Sequence, residues 1–217
     1  MRYDSVIYDL DGTLLNTIDD LAASVNHAMR TFGYPEHSVA AVCRMVGNGM
    51  ATLMHSALPA DVSPERFDEA LAAFKAHYAL HSDDLTCPYP GICELLESLA
   101  QEGVKQAVVS NKGDPFVKEL CSRYFGGCIA LAVGEQPDVR RKPHPDSLLK
   151  VMAELGCEPG RTLYVGDSDV DILTASNAGV DCAAVCWGFR SEDELRAAGA
   201  KTLIHSADEL RRLVLGE

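Results

Sequence analysis

The chain has 217 residues, 47% hydrophobic and 24% charged, the balance of a globular protein with one large domain or one domain carrying an insertion. A formal net charge of −13 argues against a nucleic-acid surface, which needs clustered lysine and arginine, and it requires any phosphate site to be electropositive only locally. No apolar run reaches membrane-spanning length, and residues 1–4 show no signal-peptide pattern, so a cytoplasmic protein without a membrane partner is expected.

Residues 5–8 form a short apolar run that ends in Asp9, Asp11, Gly12 and Thr13. In an extended chain, residues two apart project to the same side, so Asp9 and Asp11 can share one site. Like charges so close persist only if a cation or a shared proton relieves them, and Mg²⁺, a hard cation, prefers oxygen ligands. A carboxylate in that setting can also attack phosphorus. Alone, the segment reads better as a solvated acidic turn after an edge strand, and only what recurs downstream reverses that.

From residue 15 to about 82 the pattern is helical. Thr17 with Asp20 reads as a capping box, and Leu21, Val25, Met29 and Phe32 recur at helical spacing before Gly33. A second helix spans residues 38–46, is broken by Gly47-Asn48-Gly49, and a third runs on from Met50. Ser63-Pro64-Glu65 starts a fourth, with Phe67, Leu71, Phe74 and Tyr78 as a core stripe.

Beyond residue 85 the rhythm changes to alternating elements. A helix over residues 92–101 precedes strands at 105–110, 129–133, 162–165, 182–186 and 202–204. Such alternation predicts an α/β, doubly wound parallel sheet covered on both faces, with the helical block inserted after the first strand. The eight cysteines form no Cys-x-x-Cys pair, and are read as reduced, packed side chains.

Ligands of open parallel sheets bind at the carboxyl ends of the strands. The first strand ends in Asp9, Asp11 and Thr13, and the second in Ser110-Asn111-Lys112. A following loop carries Lys142-Pro143, and a later strand ends in Gly166-Asp167 with Asp171 beyond. Carboxylates, a hydroxyl, an amide and a lysine thus converge from four segments.

This set, Asp-x-Asp-Gly-Thr at 9–13, Ser110, Lys142-Pro143 and Gly-Asp-x-x-x-Asp at 166–171, resembles the haloacid dehalogenase-like hydrolase superfamily over nearly the whole chain. The resemblance implies a Rossmann-like catalytic core (residues 1–14 and 85–217) with an inserted α-helical cap (15–84), Mg²⁺ as cofactor, and phosphoryl transfer through an aspartyl-phosphate. It implies Asp9 as nucleophile and metal ligand, and Asp11 as general acid and base that also meets the metal through its carbonyl. Asp167 would complete the protein ligands, with Asp171 behind them orienting Lys142 or a metal-bound water. Ser110 and Lys142 would hold the phosphoryl oxygens, with Gly12, Thr13 and Asn111 contributing backbone amides.

An acid at position 11 favours phosphate esters, because an alkyl-halide leaving group needs no proton. Residues 44–49 and 186–190 are similar to segments of phosphoglycolate phosphatases. Arg44 would then meet a substrate carboxylate, and Gly47, Asn48 and Gly49 would approach a small substrate. A plain helix-to-helix turn explains the glycines equally well. The expected partner is a small phosphate ester such as 2-phosphoglycolate, the expected assembly a monomer or homodimer. A pyrophosphatase and a β-phosphoglucomutase-like mutase remain alternatives within the superfamily. The rival of another class, a receiver-like phospho-acceptor domain, lacks a helical insertion and a second acid two residues past the nucleophile.

Overall fold

The computed structural model describes residues 1–217. Strand β1 (Ser5–Tyr8) is buried along its whole length, as a strand covered on both faces must be. The chain then passes through β2 (Leu15–Asn16) into four helices, α1 (Ile18–Phe32), α2 (Val39–Met45), α3 (Gly49–Ala57) and α4 (Pro64–His81). It returns at β3 (Cys87–Pro88). After that come α5 (Ile92–Gln101), β4 (Lys105–Gly113), α6 (Asp114–Phe125), β5 (Leu131–Glu135) and α7 (Asp146–Leu155). The chain closes with β6 (Thr162–Gly166), α8 (Asp169–Ala178), β7 (Asp181–Val185), α9 (Glu192–Ala197), β8 (Leu203–Ile204) and α10 (Ala207–Leu215).

Six strands form one sheet in the order β5-β4-β1-β6-β7-β8, all paired in parallel. The sheet grows outward from β1 in both directions, the order of Rossmann-type doubly wound sheets, with the reversal between β1 and β6. Tyr8 lies opposite Val108 and Val165, so β1, β4 and β6 reach their carboxyl ends together. Alternate residues feed opposite faces. Val6, Tyr8, Val108 and Val165 pack with Leu96, Leu120 and Leu210 of α5, α6 and α10. Ile7, Val109 and Tyr164 pack with Leu148 and Val151 of α7 and Ala175 of α8.

The chain divides into two compact units, Met1–Leu15 with Pro88–Glu217, and Asn16–Cys87. In the helical unit α1 packs along α4, and Val25, Met29, Phe74 and Tyr78 are buried. Gly33, in the left-handed conformation, closes α1, and Ser63 caps α4 by accepting from the Arg66 amide.

Several expectations are corrected. Thr17 makes no side-chain cap, and Asp20 instead accepts from the Leu85 and Thr86 amides and the Thr86 hydroxyl, at 2.8–3.0 Å. A buried carboxylate with three donors has no need of the helix end, so the capping-box spacing was coincidental. Phe67 and Leu71 are half-buried, and Phe67 stacks on His55 at 3.8 Å instead of entering the core. Strand β4 extends past residue 110 to Gly113, because the pairing with β5 resumes after a register shift at Gly113 and Glu135. That extension puts Asn111 and Lys112, with Ser110, on the strand itself.

Candidate active site

Asp9 follows β1, and its amide donates to the Val165 carbonyl at 2.8 Å, which fixes the carboxylate at the sheet's end. The chain then turns sharply: the Leu10 carbonyl accepts from the amides of Thr13, Leu14 and Leu15, and the Gly12 amide donates to Leu15. Gly12 sits at φ +86°, and a side chain there would overlap the Asp167 carboxylate. The amides of Gly12 and Thr13 are therefore engaged within the turn, unlike the expectation that they face a phosphate. The Thr13 hydroxyl donates to Asp167 Oδ1 at 3.3 Å.

Lys142 stands at the centre of the site. Its ammonium lies 2.9 Å from Asp9 Oδ1, 2.7 Å from Asp171 Oδ1 and 3.0 Å from the Tyr164 hydroxyl. The Asn111 side chain clamps the Lys142 main chain in both directions, at 3.1 and 2.9 Å, so it positions the lysine. Asp171 is itself held: its Oδ2 accepts from the Ser168 amide and hydroxyl at 3.1 and 2.6 Å, and Tyr164 donates to its Oδ1 at 3.1 Å. Asp167 accepts from the Phe189 amide at 2.7 Å, and Trp187 donates to the Thr13 carbonyl at 3.0 Å. Gly188 lies so close to Asp167 and Gly12 that no side chain fits there. Ser110 is buried, and its hydroxyl accepts from the Lys112 amide at 3.3 Å.

Asp9, Asp167 and Asp171 are all buried and present carboxylate oxygens within 4.8 Å of one another. Asp11 does not join them. Beyond Tyr8 the extended geometry ends, and Asp11 instead pairs with Lys112 at 2.8 Å. Burial pushes the Asp9 carboxyl up to about 6, Lys142 pulls it down, and Asp171 and Asp11 add repulsion. Burial, with repulsion from Asp171 and Asp9, likewise raises Asp167 well above the usual carboxylate range. Burial alone would lower Lys142, but Asp171 and Asp9 outweigh it and hold its ammonium charged.

This donor set suits a divalent hard cation. Three buried carboxylates face one ammonium, which leaves an excess of negative charge that a low-dielectric site does not tolerate alone. Asp9 Oδ1, although close to Lys142, is buried without an aligned hydrogen-bond donor. All the donors are oxygens, the set preferred by hard cations such as Mg²⁺, Ca²⁺ and Mn²⁺ over softer metals.

The model for haloacid dehalogenase-like hydrolases matches residues 6–185. The chain belongs to that family. It is 36% identical over 217 residues to the phosphoglycolate phosphatase of Pseudomonas putida, which covers 97% of this chain and 78% of that protein. It is 37% identical over 215 residues to phosphoglycolate phosphatase 1 of Pseudomonas aeruginosa, with 96% and 78% covered. A crystal structure of a phosphoglycolate phosphatase candidate from Lactobacillus delbrueckii subsp. bulgaricus superposes with a TM-score of 0.95 at 35% identity, over all of both chains.

Within this haloacid dehalogenase-like hydrolase, the remaining sequence candidates lie in the helical unit. Arg44 is exposed near the end of α2, Gly47 and Asn48 link α2 to α3, and Gly49 opens α3. Sequence reasoning passed over Tyr164 and Ser168, and it gave no role to Lys112, noted only at the end of a strand, or to Trp187 and Phe189, noted only within residues 186–190. Two carried a readable signal: Lys112 lies two residues past Ser110 on one strand, and Ser168 with Asp171 has the capping-box spacing. The other three act through contacts across the fold that no local pattern encodes.

Proposed function

We propose that this chain is a Mg²⁺-dependent phosphatase of small phosphate monoesters, with 2-phosphoglycolate as the leading substrate, working through an aspartyl-phosphate on Asp9. The observation that carries the chemistry is Asp9 at the switch point of the sheet, with the Lys142 ammonium 2.9 Å away and Asp167 in the same buried group. The substrate rests on the relatives that bear the name phosphoglycolate phosphatase.

Asp9, Asp167 and the main chain at Asp11 would hold the metal, which when bound neutralises charge on the phosphoryl oxygens and on the acids around them. An Asp9 oxygen attacks phosphorus, and the bond from phosphorus to the ester oxygen breaks. Asp11 gives its proton to that leaving oxygen. Water then attacks the phosphorus, Asp11 takes a proton back from it, and the bond to Asp9 breaks to release inorganic phosphate. Lys142 and Ser110 hold the equatorial oxygens throughout, so charge developing in each transition state meets fixed donors. Asp171, tied to Ser168 and Tyr164, keeps Lys142 aimed at Asp9.

The specificity assigned to Arg44, Gly47, Asn48 and Gly49 belongs to this proposal, with the helical unit acting as the cap. The setting we infer is intracellular, in keeping with eight free cysteines. Phosphate release should be measured with Mg²⁺ across 2-phosphoglycolate, β-glucose-1-phosphate, pyrophosphate and several sugar phosphates. A kcat/KM for 2-phosphoglycolate well above the others is the expected result. A flat profile would overturn the substrate, and glucose-6-phosphate formed without phosphate release would replace hydrolysis by mutase chemistry.

A further inference from the structure

Outside the catalytic group one other cluster gathers metal-ligating side chains. Strands β7 and β8 are parallel neighbours in register, with Val185 opposite Ile204. Cys186 and His205 are the residues that directly follow this pair, just past the strand ends, and the Cys186 amide donates to the Ile204 carbonyl at 2.9 Å. The two strand ends thus deliver the Cys186 thiol and the His205 imidazole to one spot, their ligand atoms within 4.8 Å. Glu192, the first residue of α9, brings a carboxylate to the same spot, and the three ligand atoms lie within 4.8 Å of one another.

The Glu192 carboxylate is oriented before any ligand arrives. Its Oε1 is held by Arg196 at 2.6 and 2.9 Å, and its Oε2 faces His205 Nε2 at 3.8 Å. Tetrahedral ligands on a cation with bonds of about 2.0–2.3 Å stand roughly 3.3–3.8 Å apart, so small rotamer changes close the site. The His205 amide is anchored to Glu209 Oε2 at 2.7 Å. Cys186 itself packs against the small apolar cluster of Ile172, Ala184 and Leu195. One sulfur, one imidazole nitrogen and one carboxylate oxygen form a donor set unlike the all-oxygen catalytic group, and they suit a borderline-soft metal.

We propose that Cys186, Glu192 and His205 bind a thiophilic divalent cation of the zinc class, with water completing its coordination, at a site separate from the catalytic carboxylates. Binding replaces the thiol proton, which passes to solvent, by a sulfur–metal bond. The cation would sit where β7 leads into residues 187–189, whose groups hold the Thr13 carbonyl and Asp167. Occupation would thus stiffen the segment that braces the catalytic loop.

The test is optical and independent of turnover. Metal-free protein, held in excess Mg²⁺ to occupy the oxygen site, is titrated with Co²⁺ and then challenged with Zn²⁺. One Co²⁺ per chain, with near-ultraviolet thiolate-to-cobalt charge-transfer absorption that Zn²⁺ removes, is the expected result. Cys186→Ser should abolish the band, and Glu192→Gln and exposed His205→Ala should each weaken binding at least about tenfold. Circular dichroism confirms that each variant folds, and Mg²⁺-supported turnover should persist in all three. No charge-transfer band at millimolar Co²⁺, a band that survives in Cys186→Ser, or unaltered affinity in His205→Ala would overturn the site.

Discussion

The ammonium of Lys112 lies 2.8 Å from Asp11 Oδ1, with the lysine side chain only 2% exposed. The cation two residues past Ser110 thus tethers the acid two residues past Asp9, Lys112 reaching from β4 and Asp11 from the turn that follows β1. Lys112 is thereby a positioning residue for the proton-transfer group. Lys112→Met should lower kcat/KM by about a hundredfold, the scale of a misaligned general acid. The loss should be larger for alkyl phosphates than for p-nitrophenyl phosphate, whose leaving group needs little protonation. Equal losses for both leaving groups would detach Lys112 from Asp11's role.

Asp9→Asn tests the nucleophile. Turnover should fall at least about a thousandfold, because an amide oxygen cannot form the acyl-phosphate. The fold should not suffer. In the absence of metal the substitution removes one buried negative charge from a group where carboxylates outnumber the ammonium. Calorimetry with a chelator should therefore give a Tm equal to or above the parent's. A clearly lower Tm would show that the ion pair with Lys142 outweighs the repulsion.

The chain's strands, their parallel pairing and the acids at their ends were legible because each rests on a local signal. Apolar runs, two-residue spacing and glycine turns fix β1, β4 and β6 and put Asp9, Ser110 and Asp167 at one edge. The failures lie where a side chain found a distant partner. Asp20 was drawn from α1's start to the main chain at residues 85–86, and Asp11 left the acidic group for Lys112. Trp187 and the Phe189 amide reach Thr13 and Asp167 from far along the sequence. Such contacts follow from topology, which spacing alone does not encode.

Gly12 and Gly33 separate two effects of a left-handed glycine. Both have positive φ, but an added methyl at Gly12 would overlap the Asp167 carboxylate, while Gly33 has nothing within 4 Å. Gly33→Ala should cost only the conformational penalty of about 1–2 kcal/mol, a Tm loss of roughly 2–8 °C, with turnover intact. Gly12→Ala should destabilise further and also displace Asp167. Its Mg²⁺ requirement, read as the concentration for half-maximal activity, should rise severalfold. Unchanged Mg²⁺ dependence would disconnect Gly12 from Asp167.

His77 gives the helical unit an acid sensitivity of predictable sign. Its ring is stacked between His27 and His81, with centroids at 4.2 and 4.4 Å, and its Nδ1 lies 2.9 Å from the buried Ser24 hydroxyl. Burial, then His27, His81 and Arg30, push its basicity below the ordinary histidine value of 6.5, with Asp84 opposing weakly. A base depressed in the folded state contributes full stability above 6.5 and loses it as pH falls from there through the folded value, because the unfolded chain takes the proton first. Between pH 7.5 and 5.5 the parent should therefore lose more Tm than His77→Gln, which removes the titrating ring. The check is a pair of thermal melts at each pH. Parallel losses would mean that His77 accepts a proton as readily in the folded protein as in the unfolded chain.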